Sequence, residues 1–174
     1  MTKKFILKIL TAGEGGVGKT TFLHRFVDGI FLKGTHMTIG VEFFLKDIDI
    51  EGNDITLQLW DFGGQERFRF LLDSYALGAK GAFYVFDLTR FMTLNRIEHW
   101  LKICRSNNPK IPIVILGTKL DLEHSISVKD SYIMQLKERY GLIEYYKISS
   151  KTGENIDKAF DTIARKILET QFSI

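Results

Sequence analysis

The chain has 174 residues, 45% of them apolar and 26% charged, the make-up of a folded domain and not of a disordered or fibrous chain. Its 24 basic and 21 acidic side chains leave a net charge of +3, and the basic residues are scattered, which argues against a nucleic-acid partner. The single cysteine, Cys104, cannot form an internal bridge, no apolar run approaches the ~20 residues that cross a bilayer, and Met1-Thr2-Lys3-Lys4 opens no signal peptide, so a cytoplasmic protein is expected.

Residues 5–11 read as a first strand and 19–27 as a helix. The connection over 29–40 has no clear period, and at this length it is expected to be a working loop. Residues 41–50 and 55–60 read as strands flanking Glu51-Gly52-Asn53-Asp54, whose Gly-Asn pair suits a tight hairpin. Buried strands are expected at 81–87, 111–117 and 145–148. Leu94, Ile97, Trp100, Leu101 and Cys104 recur at helical spacing, as do Ile156, Ala159, Phe160, Ile163 and Ile167, and both stripes read as core. Ser127 followed by Asp130 resembles a capping box, and Gly141 closes the helix it opens. The alternation of strands with helices argues for an α/β arrangement of parallel strands and crossover helices, in one domain over 1–174.

Gly13-Glu14-Gly15-Gly16-Val17-Gly18-Lys19-Thr20 fits G-x-x-x-x-G-K-[ST] between a predicted strand and a predicted helix. Such glycines let successive N–H groups face phosphate oxygens, while the helix offers its positive end. Lys19 is expected to reach the β- and γ-phosphates and the Thr20 hydroxyl to ligate Mg²⁺, with Thr21 counted among the nucleotide-binding residues. The loop alone chooses neither base nor reaction.

Four further segments follow in order: Thr38-Ile39-Gly40, Asp61-Phe62-Gly63-Gly64-Gln65-Glu66, Thr118-Lys119-Leu120-Asp121 and Ser149-Ser150-Lys151. With the phosphate loop they resemble switch I, switch II and the two base-contacting loops of the Ras superfamily of small GTPases, most closely its Rab branch. The resemblance spans nearly the whole chain. It implies a P-loop NTPase fold: a six-stranded, mostly parallel sheet with one antiparallel edge pair, flanked by five helices. It also implies a switch that binds GTP or GDP with Mg²⁺ and slowly hydrolyses GTP, serving trafficking or signalling. By that likeness Asp61 holds the shell of Mg²⁺, Thr38 closes on the metal only when a γ-phosphate is present, Gly64 offers its N–H to that phosphate, and Gln65 orients the attacking water. Asp121 reads guanine, Lys119 packs along the base, Ser150 gives its N–H to the guanine oxygen, and Phe31 stacks on the ring or else serves the core.

Most members carry Asn where this chain has Thr118, though the Rho branch shows T-K-x-D; weaker binding with unchanged base choice is expected. Phe62-Gly63 replaces the Thr-Ala of Rab proteins and resembles the Gly-Gly of the Arf branch. No arginine is placed by motif to reach the transferred phosphate. Arg67 and Arg69 are expected on a solvated helix start, so unaided turnover is expected to be slow, with an arginine supplied by a partner. Gln171-Phe172-Ser173-Ile174 holds no cysteine for prenylation and Thr2 excludes myristoylation, which leaves peripheral membrane association open.

Ile55, Leu57 and Leu59 alternate with Thr56, Gln58 and Trp60, which puts Trp60 on the polar face of its strand. Phe43, Trp60 and Tyr75 match the aromatic triad of Rab proteins. They are expected to meet effectors, exchange factors and GTPase-activating proteins, unless they pack on the protein's own helix. Two rival functions stay open at this point: a scaffold that holds GTP without hydrolysing it, and a P-loop kinase.

Overall fold

The structure is a computed structural model that describes residues 2–34, 37–64 and 66–173, with the side chains of all but Arg67 and Phe68. Lys4–Ala12 forms β1, Lys19–Asp28 α1, Val41–Ile50 β2 and Asn53–Phe62 β3. A 3₁₀ stretch, Glu66–Leu71, leads into the short α2 at Leu72–Tyr75. Then come β4 (Gly81–Asp87), α3 (Ile97–Cys104), β5 (Ile113–Thr118), α4 (Asp130–Tyr140), β6 (Glu144–Lys147) and α5 (Ile156–Ile167).

One six-stranded sheet has the order β2-β3-β1-β4-β5-β6, in which only β2 and β3 run antiparallel. This is the mixed sheet with five α-helices that the resemblance implies. β4 lies in its middle with every residue buried, as its continuous apolar run requires. The side-chain period of two then divides β4 between two cores. Ala82, Tyr84 and Phe86 pack with Trp100 and Ile133 under α3 and α4, while Phe83 and Val85 pack with Phe22 and Phe160 under α1 and α5. After β1 the chain steps to one side to place β3 and then to the other to place β4. The carboxyl end of β1 therefore borders a topological switch point, where open α/β sheets take ligands.

Two local expectations are corrected. The hairpin turns on Glu51-Gly52 and not on Gly52-Asn53, because Ile50 and Asn53 already face each other in the ladder and both turn residues carry the positive φ (53° and 77°) of a tight two-residue turn. Ser127 caps no helix. α4 starts at Asp130 after an extended Lys129, and the Asp130 carboxylate is taken by Tyr145 Oη at 3.1 Å and Lys147 Nζ at 3.0 Å, so it does not reach back. The far end behaves as expected: Gly141 takes φ 63°, and the Leu142 N–H donates to the Lys137 carbonyl at 2.9 Å.

Candidate nucleotide site

The loop from Gly13 to Lys19 leaves β1 and enters α1 without a side-chain cap and without an acidic residue in the first helical turn. The orphan amides of the helix start are thus open to an anion. Lys19 is only 5% exposed, and its ammonium donates to the carbonyls of Gly13 (2.9 Å) and Glu14 (2.8 Å). Burial pushes it down to about 8, against the pull of Asp61 and Glu14 and with the help of Arg69. A buried ammonium bonded to carbonyls gains most from an anionic ligand. The cavity in front of it, about 340 Å³, is lined by Gly15, Gly16, Lys19, Thr20, Thr21, Thr38 and Gly64.

At one corner of this cavity three oxygen donors meet. Thr20 Oγ1 lies 2.6 Å from Thr38 Oγ1 and donates to Asp61 Oδ2, which is 3.5 Å from Thr38 Oγ1. Asp61 is fully buried, and its Oδ1 has no partner among the described residues. Burial raises its carboxyl pKa, against Lys19 and the Thr20 hydroxyl. Two hydroxyls beside a carboxylate with an orphaned oxygen form a hard donor set, and Mg²⁺ fits it.

The two segments that resemble switch I and switch II are stitched together. The Gly63 N–H donates to the Gly40 carbonyl at 2.7 Å, and a Cβ on Gly63 would stand 2.6 Å from the Thr38 oxygen. The Gly that replaces the Rab alanine is therefore the residue that lets switch I lie on switch II, while Phe62 extends β3 opposite Val41 into the core. Gly64 presses on the phosphate loop so closely that a Cβ would meet Gly15 N at 2.3 Å. Gln65 lies outside the described residues, as does the side chain of Arg67. Arg69 corrects the expectation of a solvated helix start: its side chain is 11% exposed and bonds to Glu14 Oε2 (3.4 Å) and the Gly64 carbonyl (3.3 Å). It turns inward because Glu14 offers a carboxylate there and the Trp100 ring a face, 5.2 Å away.

A second cavity of about 370 Å³ adjoins the first and is lined by Phe31, Thr118, Lys119, Asp121, Ser150 and Lys151. Phe31 is 37% exposed there and so takes no part in the core. The buried Ser149 stands behind this wall, and its hydroxyl donates to Asp121 Oδ1 at 2.7 Å, fixing the rotation of the carboxylate. The Thr118 hydroxyl lies 2.5 Å from the Val17 carbonyl and 3.1 Å from that of Phe86; with one proton to give, it gives it to the phosphate loop. Val17 and the Glu14 side chain, like Ser149, back the site and do not line either cavity.

Sequence reasoning missed Asp87 and Arg90. Asp87 closes β4 opposite Thr118 and receives Lys119 Nζ at 2.7 Å, Arg90 Nε at 3.0 Å and the Thr89 hydroxyl at 2.7 Å. Burial alone would raise its pKa, but Lys119, Thr89 and Arg90 together hold it below the ordinary carboxylate value. Arg90 then donates to the Gly16 carbonyl at 2.9 Å, joining this cluster to the phosphate loop. The signal that could have found Asp87 is a carboxylate at the end of a continuous apolar run, where a buried charge needs partners.

On the outer face Trp60 stands between Phe43 (centroids 5.4 Å apart, edge to face) and Tyr75 of α2 (5.6 Å), with Lys8 Nζ 4.0 Å above its ring. Trp60 and Tyr75 are half-buried on the core, so the packing alternative holds for them, whereas Phe43 is 49% exposed. Among the described residues no helix is long and apolar enough to cross a membrane.

Comparison with known proteins agrees with this geometry. The Ras family model matches residues 8–169. The chain is 35% identical over 164 residues to Ras-related protein Rab-13 of Canis lupus familiaris, covering 94% of this chain and 80% of that protein. It is 36% identical to Ras-related protein Rab-13 of Bos taurus over the same shares. It is 33% identical over 165 residues to Ras-related protein Rab-19 of Xenopus laevis, covering 94% of this chain and 78% of the relative.

Proposed function

The chain belongs to the Ras family, and from that membership we propose that its two joined cavities work as one G domain in which named residues carry the nucleotide switch. As a family member it binds GTP and GDP with Mg²⁺, hydrolyses GTP to GDP and phosphate, and meets regulators and effectors. Neither the phosphotransferase nor the inert scaffold is favoured.

In this reading Lys19 and the amides of residues 13–21 grip the phosphates, Asp121 accepts the ring N–H and exocyclic amine of guanine, and Lys119 and Phe31 hold the base on its faces. Ser150 and Lys151 close the base cavity. Thr20, Thr38 and Asp61 would hold Mg²⁺, which would supply neutralisation of phosphate charge. Gly64 meets the γ-phosphate, and Gln65 orients the water that attacks in line, while charge on the phosphoryl oxygens is met by Lys19 and the backbone donors. Loss of the γ-phosphate frees Thr38 and Gly64, and with them the surface on which Phe43 is exposed beside the half-buried Trp60 and Tyr75. That surface is read as the docking face for trafficking effectors, exchange factors and GTPase-activating proteins, at a cytoplasmic membrane surface. The observation that carries the reading is the meeting of Thr20, Thr38 and Asp61 beside the buried Lys19 ammonium.

Identifying the nucleotide retained on purification, with single-turnover hydrolysis of bound GTP, tests it. Guanine nucleotide, slow turnover and slower turnover still in Gln65→Leu are expected. Retention of adenine nucleotide, or no Mg²⁺-dependent binding of GDP or GTP, would overturn it.

A further inference from the structure

We propose that Arg69 and Glu14 form a latch that positions Gly64 for its contact with the γ-phosphate, so that this chain carries in its own switch II an arginine that favours the triphosphate state. The proposal rests on the GTPase reading and adds a positioning residue to it.

The Arg69 guanidinium is nearly buried and spans two partners, the Glu14 carboxylate (3.4 Å) and the Gly64 carbonyl (3.3 Å). Glu14 is itself held. Its other oxygen accepts from Trp100 Nε1 at 2.9 Å, with Arg96 Nε 3.9 Å away, and the Trp100 ring lies under the guanidinium. Phosphate loop, α3 and switch II therefore meet in one closed cluster. Nε and Nη1 of Arg69 are buried with no partner among the described residues, so the group has given up water for this position. The carbonyl it holds belongs to the peptide leading into position 65, and Gly64 is the residue pressed against Gly15. Arg69 thus holds the peptide after Gly64, while the close approach to Gly15 restrains Gly64 itself, and together they limit the directions in which the Gly64 N–H can face the end of the phosphate chain. Arg69 also lies near enough to bear on the Lys19 ammonium, adding positive field where the triphosphate is most negative. GDP lacks the oxygens this arrangement faces, so the latch is expected to discriminate between the two nucleotides.

Dissociation of fluorescent GDP and of a fluorescent non-hydrolysable GTP analogue is measured on the full chain with Mg²⁺, for wild type, Arg69→Ala, Arg69→Lys and Glu14→Gln, together with single-turnover hydrolysis. For Arg69→Ala we expect the GTP analogue to leave about tenfold faster and hydrolysis to slow by a similar factor, while GDP release stays within about twofold. Glu14→Gln should act in the same direction by about threefold. Arg69→Lys keeps the charge, but both bonds come from Nη2, and a lysine ammonium stops one bond short of that atom and has no planar group to lie on Trp100, so it should show the same selective loss even if the alanine variant folds poorly. Equal acceleration for both nucleotides, or none for either, overturns the latch while leaving the GTPase reading in place. A wild type that retains neither nucleotide overturns both.

Discussion

The base cavity and the metal corner are built from the same kinds of side chain and differ in what satisfies them. Around the base, the polar groups are paired by the protein: Ser149 holds Asp121, Thr118 holds Val17, and Asp87 holds Lys119. At the proposed metal corner, the Thr20 and Thr38 hydroxyls and Asp61 lean on one another across three structural elements, and one oxygen of Asp61 has no partner among the described residues. A site that must read guanine in every state gains from preorganisation, whereas a switch requires contacts that a ligand completes and whose loss releases them.

That contrast predicts which nucleotide each substitution affects. The largest effect belongs to Asp121→Ala, which removes the carboxylate proposed to accept from the base. GDP and GTP should both weaken by about 100-fold or more, with the preference over adenine lost, as titration calorimetry would show. Thr38→Ala should sharpen the division: the GTP analogue weakens by about tenfold and GDP hardly at all, because only the triphosphate recruits switch I. If Thr38→Ala weakened both equally, the two regions would not differ as argued. Thr118→Val keeps the shape of the side chain and strands the Val17 carbonyl, so both nucleotides should dissociate about fivefold faster in stopped-flow measurements.

Asp87→Asn gives the smallest change and one that depends on pH. Its partners hold the folded Asp87 pKa below the unfolded value, so its contribution is complete above the unfolded value of about 4 and is lost as pH falls through the lower folded one. The variant should lose about 1–2 kcal/mol at pH 7, a few degrees in Tm, since Lys119 and Arg90 regain water once released. The gap from wild type should close as melting is followed below about pH 4. A gap that widened toward acid would contradict the ion cluster.

Most of the scaffold was readable from the sequence because its elements obey local rules. β2 and β4 have the bounds that alternation and continuous burial suggest, and Gly141 stops α4 as its freedom allows. The phosphate-loop motif was legible because such a loop needs particular residue types at particular spacings, and the resemblance pointed to Asp121; the structure brings the two to adjoining cavities. What escaped depends on partners distant in sequence. Arg69 looks like a surface charge until Glu14, 55 residues away, and Trp100 supply a carboxylate and a ring. Arg90 reaches across 74 residues to Gly16, a separation that no periodicity encodes. Ser127 failed for a similar reason, since the Asp130 carboxylate is engaged by β6.

β2 is the outer margin of the sheet, ten residues long, with one side of its backbone unmatched by a neighbouring strand among the described residues. Such a margin is a template for another chain, and Phe43 and Leu45 would make it an adhesive one. Exposed Glu42, Asp47 and Asp49 flank those apolar residues, so two copies paired antiparallel about Phe44 and Leu45 would set Glu42 against Asp47. Flanking charge of this kind opposes edge-to-edge pairing of the run that presents an aromatic ring outward, and neutralising these three acids should cost colloidal stability before it costs the fold.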